Sequence, residues 1–427
     1  MENIMEIMKR LILRTVATWC LSILSLGITY AHHQILAKNY KSLQVVLNDD
    51  FEALPVLQLN SDDRLDIGFD ELSHNYRRLV YHVEPCDPDW TSADGLFESD
   101  WLDGFNDRPI DDYEPSLNTT VLYTHYRLQF PNDETRLKMS GNYKLHIIDE
   151  DDDGREVICV ELRVVEPLTS VTIGVTTNTD IDLNQSHQQV TMAVAYNSLR
   201  VTNAAEQIQT FVMQNGREDN MKQNVRPNSF TPSGLLWEHN RGLIFEGGNE
   251  YRKFEILDPS HPTLGLDAMN WDETTRTFHA TPFCAQPRRN YTYDEDANGA
   301  FLIRNSDNTE IDITSDYVYV HYKLMPARHY SDARVMVSGR WAIETPETYV
   351  MDYDDSDQSY HAVIMQKLGY YNYQMFLKDL DGTTHTLPEE GSFFQTENRY
   401  EAFVYYKGTG ERSWRLVGFK ETVFKAL

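Results

Sequence analysis

Three histidines, His82, His125 and His146, fall on the polar sides of three strand-like runs, "YRRLVYHVE", "VLYTHYRLQF" and "YKLHII". Imidazole nitrogens are good ligands for first-row divalent cations, so three rings on neighbouring strands would make a metal site. Nothing in their spacing forces the rings together, and they read as separate surface histidines. Two acidic stretches carry the opening of a calcium loop. "DEDANG" (Asp294 to Gly299) has acids at the first and third places, an amide at the fifth and glycine at the sixth. Asp149, Asp151, Asp153 and Gly154 repeat the pattern. The closing bidentate acid that such a loop needs is Asn305 in one and Val160 in the other, so both read as turns. The chain has no GxSxG elbow, no HExxH and no phosphate-cradling GxxxxGK[ST]. The expectation is a protein with no catalytic residues, no metal, no cofactor and no small-molecule substrate.

The elements that would position these groups repeat with a period of two. In "YRRLVYHVE", Arg77, Leu79, Tyr81 and Val83 share a face. In "VLYTHYRLQF", Leu122, Thr124, Tyr126, Leu128 and Phe130 oppose Tyr123, His125, Arg127 and Gln129. "YVYVHYKL" separates Val318, Val320, Tyr322 and Leu324 from Tyr317, Tyr319, His321 and Lys323. Successive strand side chains point to opposite faces, so each run has one side to bury. Turn-forming stretches such as "DEDDDG", "QNG", "EGGNE" and "DLDG" separate the runs. The fold class expected is all-β: three consecutive antiparallel β-sandwiches of immunoglobulin-like or early-set type, with little helix. "VVEPLTS" and "YKLMPARHYSDARV" mark the boundaries. They give a first sandwich over 32–166, a middle β-rich domain over 167–326 and a C-terminal sandwich over 327–427.

Residues 1–31 read as a signal peptide: Lys9, Arg10 and Arg14, then an apolar stretch ending at Ala31. Trp19 stands before Cys20 where a lipidation signal would have a small residue. No later stretch approaches the ~20 apolar residues of a spanning helix. The whole chain carries a formal charge of −28. The signal holds three cations and two acids, so the remainder is one charge more negative. That charge disfavours nucleic acid and anionic membrane surfaces as partners. Cys86, Cys159 and Cys284 remain after cleavage, too few and too widely spaced for a disulfide scaffold.

"WLDGFNDRPIDDYEPS" is a long loop before the "VLYTHYRLQF" strand. Its Trp101, Phe105 and Tyr113 either bind a partner or cap the end of the sandwich. Trp341, in "SGRWAIET", either packs at a sandwich edge or meets a protein.

Long strings of the chain resemble one family. "WLDGFNDRPIDDYEPSLNT", "YTHYRLQFPNDETRLKMSGNY", "QNGREDN", "GGNEYRKFEILD", "YDEDANGAFLIRN" and "TENRYEAFVYYKG" resemble the plug protein of the type IX secretion system of Bacteroidota, over roughly Leu43 to Phe419. The resemblance implies a non-enzymatic periplasmic protein. It would bind the periplasmic opening of the outer-membrane translocon barrel (SprA, or Sov) and seal it while the shuttle is absent. It implies no insertion into the membrane. The last unit also resembles early-set sandwiches that include glycogen-binding modules, although "RWAIET" departs from their Asn-rich loop. A secreted or periplasmic carbohydrate-binding protein is the alternative expectation.

Overall fold

Alternation decides which faces the strands bury. In Leu79–Cys86, Leu79, Tyr81 and Val83 are fully buried while Val80, His82 and Glu84 between them are half-buried. Gly141–Asp149 repeats this with Tyr143, Leu145 and Ile147. Each such side chain contributes about 1.5–3 kcal/mol through burial, which is why the pattern holds the register. The computed structural model describes residues 33–426. The expected signal peptide, 1–31, lies outside the described residues. Within them the strands pair almost entirely antiparallel, and every helix has four residues or fewer. The chain is an all-β protein built of sandwiches. Among the described residues no helix is long and apolar enough to cross a membrane.

The first sandwich sets two sheets face to face. One runs Gln34–Ile35, Arg155–Val165, Gly141–Asp149, Leu79–Cys86, Arg108–Pro109, with Val56–Gln58 added parallel to Arg155–Val165. The other runs Tyr40–Leu47, Leu65–Glu71, Thr124–Phe130, Asp112–Pro115. Ile67, Phe69, Tyr126 and Phe130 pack against Tyr81, Leu145, Ile158 and Val160 between them. The "DEDDDG" stretch is a tight turn joining two neighbouring strands, with Asp153 and Gly154 at φ 53° and 70°.

The second sandwich takes its strands from two distant parts of the chain. Its first sheet contains Ser170–Thr176, His187–Ala195, Gly234–Trp237 and Ser229–Thr231. Its second orders Arg217–Gln223, Ile208–Gln214, Asn398–Tyr406 and Arg415–Phe424. Ile208–Gln214 pairs along its whole length with Asn398–Tyr406. This second sheet is buried on both faces. Val212, Tyr400, Ala402 and Val404 enter the sandwich core, while Phe211, Met213, Phe403 and Tyr405 pack against Val56 and Val165 of the first sandwich. Double burial explains why "NRYEAFVYY" is nearly continuous in apolar and aromatic residues.

Between those two segments the chain builds the third sandwich. One sheet is centred on Gly369–Asp379, flanked by Arg252–Ile256, Phe301–Ile303, Ala333–Ser338 and Thr384–Thr386. The other orders Leu266–Asp272, Thr277–Pro282, Tyr317–Leu324, Ser359–Lys367 and Asp352–Asp354. Their common core draws on Phe254, Ile256, Val318 and Val320 together with Val335, Met375 and Leu377. The expected boundary at 326/327 is therefore corrected. "YKLMPARHYSDARV" carries the chain from one sheet of a single sandwich to the other, and the second core is completed only by the C-terminal strands.

The two passages into and out of the inserted sandwich are bound to each other. Phe393 N donates to Gly248 O at 2.8 Å, and Asn398 Nδ2 donates to Gly247 O at 2.7 Å. A Cβ on Gly247 would stand 2.2 Å from Phe393 O, so only glycine fits this crossing. Beside it the buried Glu390 carboxylate receives Arg288 at 2.6 Å, Arg252 at 3.1 Å and the Met375 amide at 3.0 Å. Burial raises the Glu390 pKa, but the two guanidiniums outweigh it and hold the carboxyl below the usual range. Expressed alone, residues 249–392 should give a cooperative thermal unfolding transition. Residues 327–427 alone should give none, because Ser359–Lys367, Gly369–Asp379 and Asn398–Tyr406 each lose a neighbouring strand and both cores are left incomplete; calorimetry of the two fragments checks this.

Candidate partner-binding surface

Of the three histidines that looked reactive in the sequence, one is engaged in joining two sandwiches. His125 is not on the surface as expected. The outer face of its sheet is covered by the third sandwich, and His125 Nδ1 lies 2.6 Å from the buried Asp70 carboxylate. Asp70 Oδ2 receives Lys367 Nζ at 2.7 Å and the Tyr317 hydroxyl at 2.6 Å. The Lys367 ammonium sits 4.1 Å from the centre of the Tyr123 ring, a cation–π contact made in a buried seam. Asp316 adds a second tie, accepting from Thr120 N at 2.8 Å and Thr120 Oγ1 at 2.7 Å. An Asp–His pair resembles the base of a hydrolase. Here the other ring nitrogen faces the Asp312 carboxylate at 3.7 Å rather than a hydroxyl or thiol nucleophile. Burial pushes the Asp70 carboxyl up, and Lys367 followed by His125 pulls it further down, so it sits below the ordinary range.

Two further junctions use the same chemistry. The Arg163 guanidinium lies 4.7 Å from the ring centres of both Trp90 and Phe403 and bonds Glu218 at 2.9 Å. That contact couples the first sandwich to the second. The Glu52 carbonyl, in a loop of the first sandwich, accepts from Arg399 of the second at 2.8 Å and from Arg340 of the third at 2.7 Å. One loop thus touches all three sandwiches.

The acidic turns hold protein groups rather than a cation site. Asp294 pairs with Lys253 at 2.6 Å, and Asp296 accepts from the Tyr251 and Asn298 amides. Burial raises the Asp296 carboxyl to about 7. Asp149 binds Tyr40 at 2.7 Å and Arg77 at 2.6 Å, and Asp151 binds Arg78 at 2.8 Å. A surface trio, Asp354, Asp357 and His361, has metal-ligating atoms within 4.8 Å of one another. Lys323 already occupies Asp357 at 2.8 Å. Cys86, Cys159 and Cys284 are free thiols.

The aromatic residues expected at a partner contact divide. Trp101 is 4% exposed, in the first core against Tyr143, and Trp341 is 7% exposed, in the third core against Tyr322. Trp341 Nε1 donates to Asn372 O at 2.8 Å, and its ring has no free face for a sugar. The partner-contact reading of both is corrected: of the two placements open for each, they take packing within the sandwich, in its core. Phe105 is 68% exposed, and Tyr113 lies partly exposed on an edge strand, 4.7 Å from the Tyr76 ring. The sequence reading missed Phe97, which is 70% exposed, and the exposed Leu117 and Leu122. Leu122 was placed on a core face, but the strand begins only at Thr124. The Arg412 guanidinium lies 5.5 Å from the Phe97 ring centre and that of Arg108 lies 5.9 Å from Phe105. Phe97, Phe105, Tyr113, Leu117 and Leu122 are exposed large apolar side chains set among acidic residues of this stretch.

These features define an interlocked, all-β, multi-sandwich protein whose first sandwich carries the exposed Phe97 and Phe105. A family model described as "Type 9 secretion system plug protein 1st domain" matches residues 40–166. The chain belongs to the type 9 secretion system plug family. The matched residues are those of the first sandwich. A solved structure titled as a hypothetical protein from Parabacteroides merdae ATCC 43184 is 32% identical, with a TM-score of 0.88. The alignment covers 92% of this chain and 99% of that one. No curated protein matches. Family membership ties the chain to type IX secretion.

Replacing Lys367 by methionine leaves Asp70 buried without its main counter-charge and should cost about 3–5 kcal/mol of stability at neutral pH. The Asp70 pKa is lowered in the folded state, so its contribution is complete above an unfolded value of about 4. It is lost as pH falls through the lower folded value. The deficit of Lys367→Met should therefore shrink on acidification; urea unfolding at several pH values measures it.

Proposed function

We propose that this chain is a non-enzymatic periplasmic plug. It binds the periplasmic opening of the large outer-membrane type IX translocon barrel (SprA/Sov) and seals it when shuttle and substrate are absent. The observation that carries this reading is the exposed Phe97 and Phe105 on the sandwich matched by the plug-domain model. Aromatic rings with a guanidinium beside them suit the centre of a protein interface, where rigid rings are buried at little entropic cost. Three sandwiches tied by buried charge pairs support the same role, because a stiff body loses little ordering entropy on docking. A specific interface of this kind buries at least ~1,000 Å². The formal charge of −28 favours a complementary, basic mouth and speeds encounter with it.

Affinity-tagged protein should co-purify with an outer-membrane barrel, and deletion should make the outer membrane leak. The Phe97→Ala, Phe105→Ala double variant should bind that barrel at least ~10-fold more weakly with its melting temperature unchanged, as expected for hot-spot rings. Raising the salt concentration should slow association. Wild-type binding by the double variant would remove these rings from the contact. A tight envelope in the deletion strain would remove the sealing role.

A further inference from the structure

The outer face of the first sandwich carries a group of metal-ligating side chains that the junctions do not use. Strand register builds it. On three adjacent strands His82 stands opposite His146, and His146 opposite Cys159. The next row is Glu84, Lys144 and Glu161. A bulge between Ile147 and Ile148 shifts the pairing and brings Glu156 alongside His146. The His146, Glu156 and Cys159 ligand atoms lie within 4.8 Å of one another. His146 Nδ1 is 2.6 Å from Glu156 Oε1, and its Nε2 is 3.3 Å from Glu84 Oε1. The His82 ring centre is 6.3 Å from that of His146.

We propose that His146, Glu156 and Cys159 bind a first-row divalent cation of the Zn²⁺ class. Imidazole, carboxylate and thiolate are the three donors that zinc takes, and a sulfur ligand selects against calcium and magnesium. A water fills the fourth tetrahedral position. Glu84 completes the arrangement by accepting from the opposite ring nitrogen, which fixes how the ligating imidazole is presented. Glu84 and Glu156 flank the two nitrogens of the His146 ring, while the one lysine in those rows, Lys144, donates its ammonium to Trp90 O at 2.9 Å. Without a metal, burial and then Glu161 push the Cys159 thiol up to about 12. A bound dication reverses that balance; the thiol proton leaves to solvent as the metal–sulfur bond forms.

Titration of the full-length, chelator-treated protein with ZnCl2 in a calorimeter should show one ion per chain. CoCl2 should give a near-ultraviolet thiolate-to-cobalt absorption band. Cys159→Ser should abolish that band, and Cys159→Ser and His146→Gln should each weaken zinc binding by more than ~100-fold, beyond the 10–100-fold expected of Glu84→Gln. Glu156 lies at the rim, away from the core, so Glu156→Gln tests the site even where a buried substitution disturbs folding. His361→Ala, in the surface trio of the third sandwich, should leave binding unchanged. The proposal is overturned by the absence of stoichiometric uptake. It is equally overturned by uptake that survives Glu156→Gln and Cys159→Ser, or that depends on His361.

Discussion

Asp70 and Lys367 meet with 0% and 1% side-chain exposure at the seam between the first and third sandwiches, and the relative placement of these sandwiches depends on that contact. A buried ion pair gains little over a well-packed apolar pair, because removing two charges from water offsets most of their attraction. Its consequence is selectivity. Any other docking of the two sheets would leave a buried carboxylate or a buried ammonium without a partner, at a cost of several kcal/mol. Tyr317, His125 and Tyr123 surround the pair so that both charges have several neighbours. The seam is closed in one register rather than left as a greasy slip plane.

Chain topology adds to this stiffness. The third sandwich is inserted into the second, so two strands of chain hold it, and a twist about one would strain the other. Glu390, clasped by Arg252 and Arg288, and the close crossing at Gly247 sit where those two connections pass. The Glu52 loop then draws Arg340 and Arg399 to a single carbonyl. Separately folded modules on flexible linkers would move independently by default. This chain instead places charged and hydrogen-bonded groups at its junctions.

Much of the fold is legible in the sequence because period two is a local property. Val318, Val320, Tyr322 and Leu324 follow from the pattern alone, and their burial agrees. What escapes is whatever a second body covers. Tyr123, His125 and Tyr317 lie on the face that alternation assigns to solvent, yet all three are buried because another sandwich is laid over them. The boundary near residue 326 fails for a related reason: a proline-containing connection between two sheets of one sandwich has the same composition as a linker. Trp101 and Trp341 show a third limit. A tryptophan in a loop is equally compatible with an exposed anchor and with a plug for the sandwich end, and only packing against Tyr143 and Tyr322 distinguishes them.

The histidines make the same distinction in chemical terms. All three sit at outward positions of strands in the first sandwich, but their fates depend on what lies above each sheet. His125 lies under the third sandwich, where low polarity and the Asp70 carboxylate confine it to a structural role. His82 and His146 lie on the opposite sheet, where Glu84 and Glu156 flank the His146 ring. Convergence there came from register and a bulge, which no spacing along the chain encodes. The exposed Phe97 and Phe105 belong to this first sandwich too. The part of the chain carrying the family signature therefore holds both an exposed pair of aromatic rings and the His146 group. The second and third sandwiches hold it in place through Arg340, Arg399 and Lys367.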